Sequence, residues 1–117
     1  MTSPIDSGIS AITAFTRKMS VTANNIANVN TDEFKKSRTS LNEREGGGVE
    51  ATVQTVDTPG YSRDTYEDGE RISVESANVD LAEELTETIP TTVGYKANLK
   101  SIQAWDEMLG NLLDITS

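Results

Sequence analysis

Adjacent carboxylates are the first groups in this sequence whose chemistry could be catalytic, because two close acids can act as general acid and base. Three such pairs are present: Asp32-Glu33, Glu83-Glu84 and Asp106-Glu107. Neighbouring residues on a helix do not face each other, so none of these pairs converges on one substrate. With nineteen Asp and Glu residues in the chain, such pairs are expected as solvated charge. We therefore predict no catalytic site and no enzymatic activity.

The sequence also lacks the residues and spacings of common metal and cofactor sites. The chain has no Cys and no His, which removes thiol nucleophiles, disulfides and the usual zinc ligands. The acids between Asp57 and Glu70 lack the spacing of a calcium loop closed by a bidentate Glu. The run Gly46-Gly47-Gly48 is not followed by the Lys-Ser/Thr pair of a phosphate-binding loop. We expect no cofactor.

The distribution of charge limits the partners. The net charge is −9, yet residues 1–44 hold four acids and six bases, and residues 45–117 hold fifteen acids and four bases. The acidic part repels phosphates, so we expect no nucleic acid partner. No stretch approaches the roughly 20 apolar residues of a membrane span, and no cleavable signal peptide is visible.

An apolar stripe predicts an N-terminal helix over residues 5–28. Its members recur at alternating steps of four and three, which places them on one helix face as a heptad seam: Ile5, Ile9, Ile12, Thr16, Met19, Ala23 and Ile26. Ser3 is a suitable N-cap, and Pro4 then occupies the first helical position, where its missing N–H costs nothing.

A second stripe predicts a C-terminal helix with Asp80 as its cap. Its members are Leu85, Thr88, Thr92, Tyr95, Leu99, Ile102, Asp106, Leu109 and Leu113, with Trp105, Met108 and Leu112 beside them. Pro90 lacks an amide donor and its ring clashes with the preceding turn. We therefore expect a short helix near 80–89, a break or kink, and a long helix near 91–114.

The segment between the helices reads as a small β structure. Val49–Val56 and Arg71–Glu75 alternate apolar and polar residues, and Tyr61–Tyr66 is a further extended piece. The expected fold is mainly α with a small β segment: long terminal helices form an antiparallel, coiled-coil-like pair joined by a short β-rich middle. The three segments are 1–34, 35–76 and 77–117, together one domain.

Four Asn residues stand within seven positions at the end of the first helix, namely Asn24, Asn25, Asn28 and Asn30. Asn lowers helix propensity and competes for backbone hydrogen bonds, so a polar helix terminus is the simpler interpretation. The alternative is that these amides bond across a subunit contact.

Two segments resemble one family. ANNIANVNT (residues 23–31) is similar to the N-terminal signature of bacterial flagellar basal-body rod and hook proteins, and ANVDLAEEL with GYKANLKSI and DEMLGNLLDI resembles their C-terminal segment. The short middle resembles the proximal-rod members. Two departures are Glu33, where the family usually has Gly, and Pro90.

The resemblance implies an axial structural subunit of the periplasm-spanning rod, with copies of itself and other basal-body proteins as partners. It also implies export by the flagellar type III apparatus without a cleaved signal. A soluble helical adaptor or export chaperone of that apparatus is the alternative. The expected subunit-interface residues are Ile5, Ile9, Ile12, Met19, Asn24, Asn25, Ile26, Asn28, Asn30, Leu85, Tyr95, Leu99, Ile102, Trp105, Leu109, Leu112 and Leu113.

Overall fold

The fold is a long helix, two β-hairpins and a longer helix, as described for residues 3–116 by a computed structural model. The elements are α1 (Pro4–Ala27), β1 (Ser37–Glu43), β2 (Val49–Thr55), β3 (Ser62–Glu67), β4 (Glu70–Glu75) and α2 (Leu81–Thr116). This confirms the prediction of terminal helices joined by a β-rich middle. The outer ends of the predicted segments 1–34 and 77–117, at residues 1–2 and 117, lie outside the described residues.

Both helices begin where the sequence predicts. The Ser3 hydroxyl accepts the Asp6 N–H at 3.2 Å, and Pro4 fills the first helical position. At the second helix the Asp80 carboxylate accepts the N–H of Ala82 at 3.0 Å. Each cap satisfies a backbone donor that has no partner within the helix.

The middle segment forms two separate antiparallel hairpins, β1–β2 and β3–β4. In the second, Asp68 and Gly69 make the predicted turn with φ of 51° and 82°. Strand β1, which pairs Ser37 with Thr55 and Glu43 with Val49, was not predicted. Leu41 is its only large apolar residue, so the sequence carries no alternating apolar signal there.

The two helices lie antiparallel and approach closely at two glycines. A Cβ at Gly8 would stand 2.9 Å from Ile102 Cγ1, and a Cβ at Gly94 would stand 2.5 Å from Phe15 Cζ. Residues early in α1 therefore meet residues late in α2. The antiparallel arrangement is confirmed, whereas heptad knobs-into-holes packing stays a prediction.

Small residues, and not the predicted seam, form the buried face of α1, which consists of Gly8, Ala11, Ala14, Thr22 and Asn25. Ile9 of the seam is 52% exposed. The periodicity therefore correctly predicted a helix, and the fully buried face of α1 is a different one from the seam, whose role at a subunit contact stays a prediction. Small side chains allow two backbones to come close, and the large apolar residues are displaced to the flank.

The predicted break at Pro90 is wrong, because α2 runs from Leu81 to Thr116 without interruption, whereas the alternative of a kink stays a prediction. Contacts on both sides of the proline hold the helix together. Before it, Lys18 Nζ lies 3.2 Å from the Glu87 carboxylate, and after it Thr91 is buried at 2% exposure. The Thr91 hydroxyl also donates to the Glu87 carbonyl at 2.8 Å. Tertiary packing overrides the local cost of proline.

The molecule is long and has little core. It measures 81 × 24 × 20 Å with a radius of gyration of 20.9 Å, against about 13 Å for a compact domain of this length. Among the described residues the buried hydrophobic side chains are those of Ala11, Ala14 and Ala77. Much of the apolar surface of the two helices therefore stays in contact with water.

Candidate assembly surface

Asn25 joins α1 to the first strand of the middle segment. Its side-chain amide donates to the Ser37 carbonyl at 2.8 Å, and its side-chain oxygen accepts the Ser37 N–H at 3.0 Å. The residue is 1% exposed, so both polar atoms are used inside the chain. Of the four clustered Asn residues, Asn25 has an internal structural role.

Asn78, three residues before the start of α2, makes the matching connection. Its oxygen accepts the Lys36 N–H at 2.7 Å, and its amide donates to the carbonyls of Val56 and Thr58, each at 2.8 Å. Lys36 and Ser37 are neighbours, so the beginning of β1 is held by one Asn from each terminal segment. Asn78 lies in the ANVDLAEEL motif. The motif identified this segment as similar to the family, but it did not predict a role for Asn78.

A turn at Glu33 precedes this junction. Glu33 has a φ of 64°, the left-handed region that favours glycine, and its N–H donates to the Glu75 carbonyl at 2.9 Å. The turn that a glycine would make is therefore present even though the chain has Glu. Because a side chain in this region costs roughly 1–2 kcal/mol, the position carries strain.

The Glu75 carboxylate closes the junction on the other side. It forms an ion pair with Lys35 Nζ and accepts a hydrogen bond from the N–H of Gly60 at 2.9 Å. These hydrogen bonds lower the pKa of Glu75 below its ordinary value, and the one from Lys35 has the larger effect. A Cβ at Gly60 would lie 2.0 Å from the Ser76 carbonyl oxygen, so only glycine fits here.

An apolar groove of about 380 Å³ runs between the two helices. We call it the central groove, and its lining residues come from both helices: Phe15, Thr16, Met19, Ser20 and Ala23 of α1, and Thr91, Thr92 and Tyr95 of α2. Members of the two predicted stripes thus lie together on one side of the helix pair.

The predicted interface residues differ widely in burial. Asn25 is buried. The half-buried ones are Ile5, Ile12, Met19, Ile26, Asn28, Ile102 and Trp105. The exposed ones are Ile9, Asn24, Asn30, Leu85, Tyr95, Leu99, Leu109, Leu112 and Leu113. The structure brings Met19 and Tyr95 to one groove, while Asn24, Asn28 and Asn30 lie at the end of α1, away from the late residues of α2.

A second apolar surface on α2 was predicted only through Leu85, and the sequence analysis did not identify its other members. Leu81, Leu85, Ile89 and Val93 follow one another at intervals of four, so they share one side of the helix. They are 42%, 52%, 64% and 63% exposed. We call these four residues the outer ridge. The interval of four was visible in the sequence, but the search followed the stripe through Thr88 and Thr92 instead.

Other kinds of site find no support in the part of the chain that the structure describes. Residues 3–116 contain no group of three or more acids that could hold a metal ion. No described helix is both long enough and apolar enough to cross a membrane.

Two family models match this chain, and the matched segments include Asn25 and Asn78. The model for flagella basal body rod protein matches residues 5–35, and the model for flagellar basal body rod FlgEFG protein C-terminal matches residues 73–115. The two matches cover more than half of the chain and meet in space where Asn25 and Asn78 hold β1. No curated protein matches the chain.

An elongated chain with little core and exposed apolar helices has the form of a structural subunit. The chain belongs to the flagellar basal-body rod protein family. Proteins of this family are structural, so this one is not an enzyme. It is a component of the flagellar basal body, and other basal-body proteins are its partners.

Proposed function

We propose that this chain is an axial subunit of the proximal rod, which polymerises through its terminal helices and transmits torque. We further propose that it reaches the rod through the flagellar type III export apparatus, without a cleaved signal. The exposed apolar surface of the two helices is the observation that supports this proposal.

The size of that surface favours several neighbours over one. Twelve large hydrophobic residues that are at least 36% exposed lie on α1 or α2. Full burial of one such side chain contributes roughly 1.5–3 kcal/mol, so each half-exposed one has about 1 kcal/mol still to gain. Their sum is comparable to the 4–15 kcal/mol or so that association costs. A single contact covers only part of the surface, whereas a subunit in a tube is covered from several sides.

Acid placed on the exposed apolar residues of α2 tests the proposal. Leu99 and Leu109 are 43% and 42% exposed, so Leu99→Asp with Leu109→Asp should leave the monomer folded and prevent polymerisation. The matched control is Ser101→Asp with Asn111→Asp, which adds the same charge at exposed polar positions two residues further on. Sedimentation over a concentration series should show polymers for the wild type and the control, and monomer for the apolar pair.

The same series distinguishes the alternative of an adaptor or export chaperone. A chaperone would remain small at every concentration and would form a defined complex with one exported client. Polymers that are lost equally in the apolar pair and in the control would mean that charge alone, and not burial, governs assembly.

A further inference from the structure

The outer ridge of α2 continues into two lysines. Lys96 and Lys100 follow Val93 at steps of three and four, so they lie on the same side of the helix as the ridge. Both lysines are exposed. This side of α2 therefore presents apolar groups near its start and positive charge near its middle.

Both lysines lack an acidic neighbour. Neither makes an ion pair or a side-chain hydrogen bond in the described part of the chain. No Asp or Glu occurs between Glu87 and Asp106, although residues 45–117 as a whole are strongly acidic. The surface around Lys96 and Lys100 is thus a local positive patch that fits an acidic partner.

The tip of the β3–β4 hairpin carries acidic residues that could pair with such a positive patch. Its tip reads Glu67-Asp68-Gly69-Glu70, and these three acids make no ion pair within the described residues. Glu67 and Glu70 stand directly opposite each other, where like charges destabilise a hairpin. Tyr66, next to the tip, is 74% exposed.

This hairpin is held only at its base: Arg63 pairs with Asp32 at 2.7 Å, and the Glu33 N–H donates to the Glu75 carbonyl at 2.9 Å, while its tip makes no contact with another helix or strand among the described elements. Among the described elements, β3 and β4 contact only each other, and a lone two-stranded hairpin is marginal in water. Helix α2, at about 1.5 Å per residue, accounts for about 54 Å of the 81 Å length. The hairpin ends at Glu75, before α2 begins at Leu81, and it makes no contact with α2, so its tip does not reach Lys96 and Lys100 of its own chain.

We propose that the tip of the β3–β4 hairpin docks on the outer ridge and positive patch of a second copy of this chain. Tyr66 would cover the apolar ridge near Val93, and the tip carboxylates would face Lys96 and Lys100. Donor and acceptor are different surfaces, so the contact repeats head to tail, which gives a ring if the rotation closes and an open polymer if it does not. The inference rests on the proposed function, since it supposes that copies of the chain assemble.

Charge reversal tests the contact. Lys96→Glu with Lys100→Glu should raise the concentration at which assembly begins by roughly tenfold, and Glu67→Lys with Glu70→Lys should do the same. Combining all four changes should restore assembly to within about threefold of the wild type. The matched control, Glu43→Lys with Glu45→Lys, alters the tip of the other hairpin and should have no effect.

A crosslink provides a second measurement, since the chain has no cysteine of its own. Glu67→Cys and Lys100→Cys, made in separate chains, should form a covalent dimer when mixed and oxidised, and neither should do so alone. If the wild type assembles but the reversals have no effect, or the mixture gives no crosslink, the hairpin contact is refuted and the proposed function stands. A wild type that stays monomeric would refute both.

Discussion

Asn25→Ala is the substitution whose effect follows most directly from the structure. The side chain makes two hydrogen bonds to the Ser37 backbone at 2.8 and 3.0 Å, and the residue is 1% exposed. Each bond contributes about 0.5–1.5 kcal/mol, and an unsatisfied buried partner costs about 1–3 kcal/mol more. Ser37 is half-buried, so water can partly replace the lost amide. We therefore expect the free energy of unfolding to fall by about 2 kcal/mol.

The assay is urea unfolding of dilute monomer followed by helical circular dichroism, with equal m-values required before the midpoints are compared. Asn24→Ala is the control, because Asn24 is exposed and its side-chain oxygen only accepts from Asn28 at 3.3 Å. It should change stability by less than about 0.5 kcal/mol. Should Asn25→Ala be as mild as the control, the two bonds to Ser37 do not hold β1 to α1.

Three further changes address strain, proline and pH. Glu33→Gly relieves the strain of a side chain on a left-handed backbone, although glycine loses more conformational entropy on folding. Thermal unfolding should therefore show that the variant is more stable by about 0.5–1 kcal/mol. A loss of stability would mean that the Glu33 side chain is needed. Pro90→Ala restores a helix donor in an already continuous helix, and urea unfolding should show a gain of about 1–3 kcal/mol without a change in helix content. Because hydrogen bonds from Lys35 and Gly60 lower the pKa of Glu75, its contribution to stability is complete above pH 4–5 or so and is lost as pH falls through the lower folded value. Lys35→Gln should weaken that loss in an acid titration of stability, and an unchanged titration would argue against the pairing.

Local signals in the sequence were sufficient for the helices and their starts. Ser3, Pro4 and Asp80 act within three residues of their own position, so their roles can be predicted without knowledge of the fold. The turn at Asp68-Gly69 was predictable for the same reason.

What the sequence did not predict depends on contacts between distant residues. Strand β1 exists because β2 pairs with it and because Asn25 and Asn78 hold its beginning, and neither contact appears in local periodicity. Helix α2 passes Pro90 because contacts with α1 hold it on both sides. A periodic pattern identifies a helix, but it does not say which face packs inside the chain.

The packing face of α1 shows why the candidate surface was only partly predictable. The sequence placed the seam residues at a subunit interface, and inside the chain Gly8 and Gly94 permit a close contact through small residues. Large residues such as Ile9 and Leu99 then remain available for other chains. The stripes are real features of the sequence, and their use in assembly is the proposal that remains to be tested.

Hydrogen exchange on one sample, first as dilute monomer and then assembled, tests that central claim most directly. The amides of residues 97–114 should be weakly protected in the monomer, because this part of α2 is largely exposed, and strongly protected after assembly. Strands β1 and β2 should change little and serve as the internal reference. Strong protection of residues 97–114 in a proven monomer, or no increase on assembly, would contradict the claim that the terminal helices are completed by neighbouring subunits.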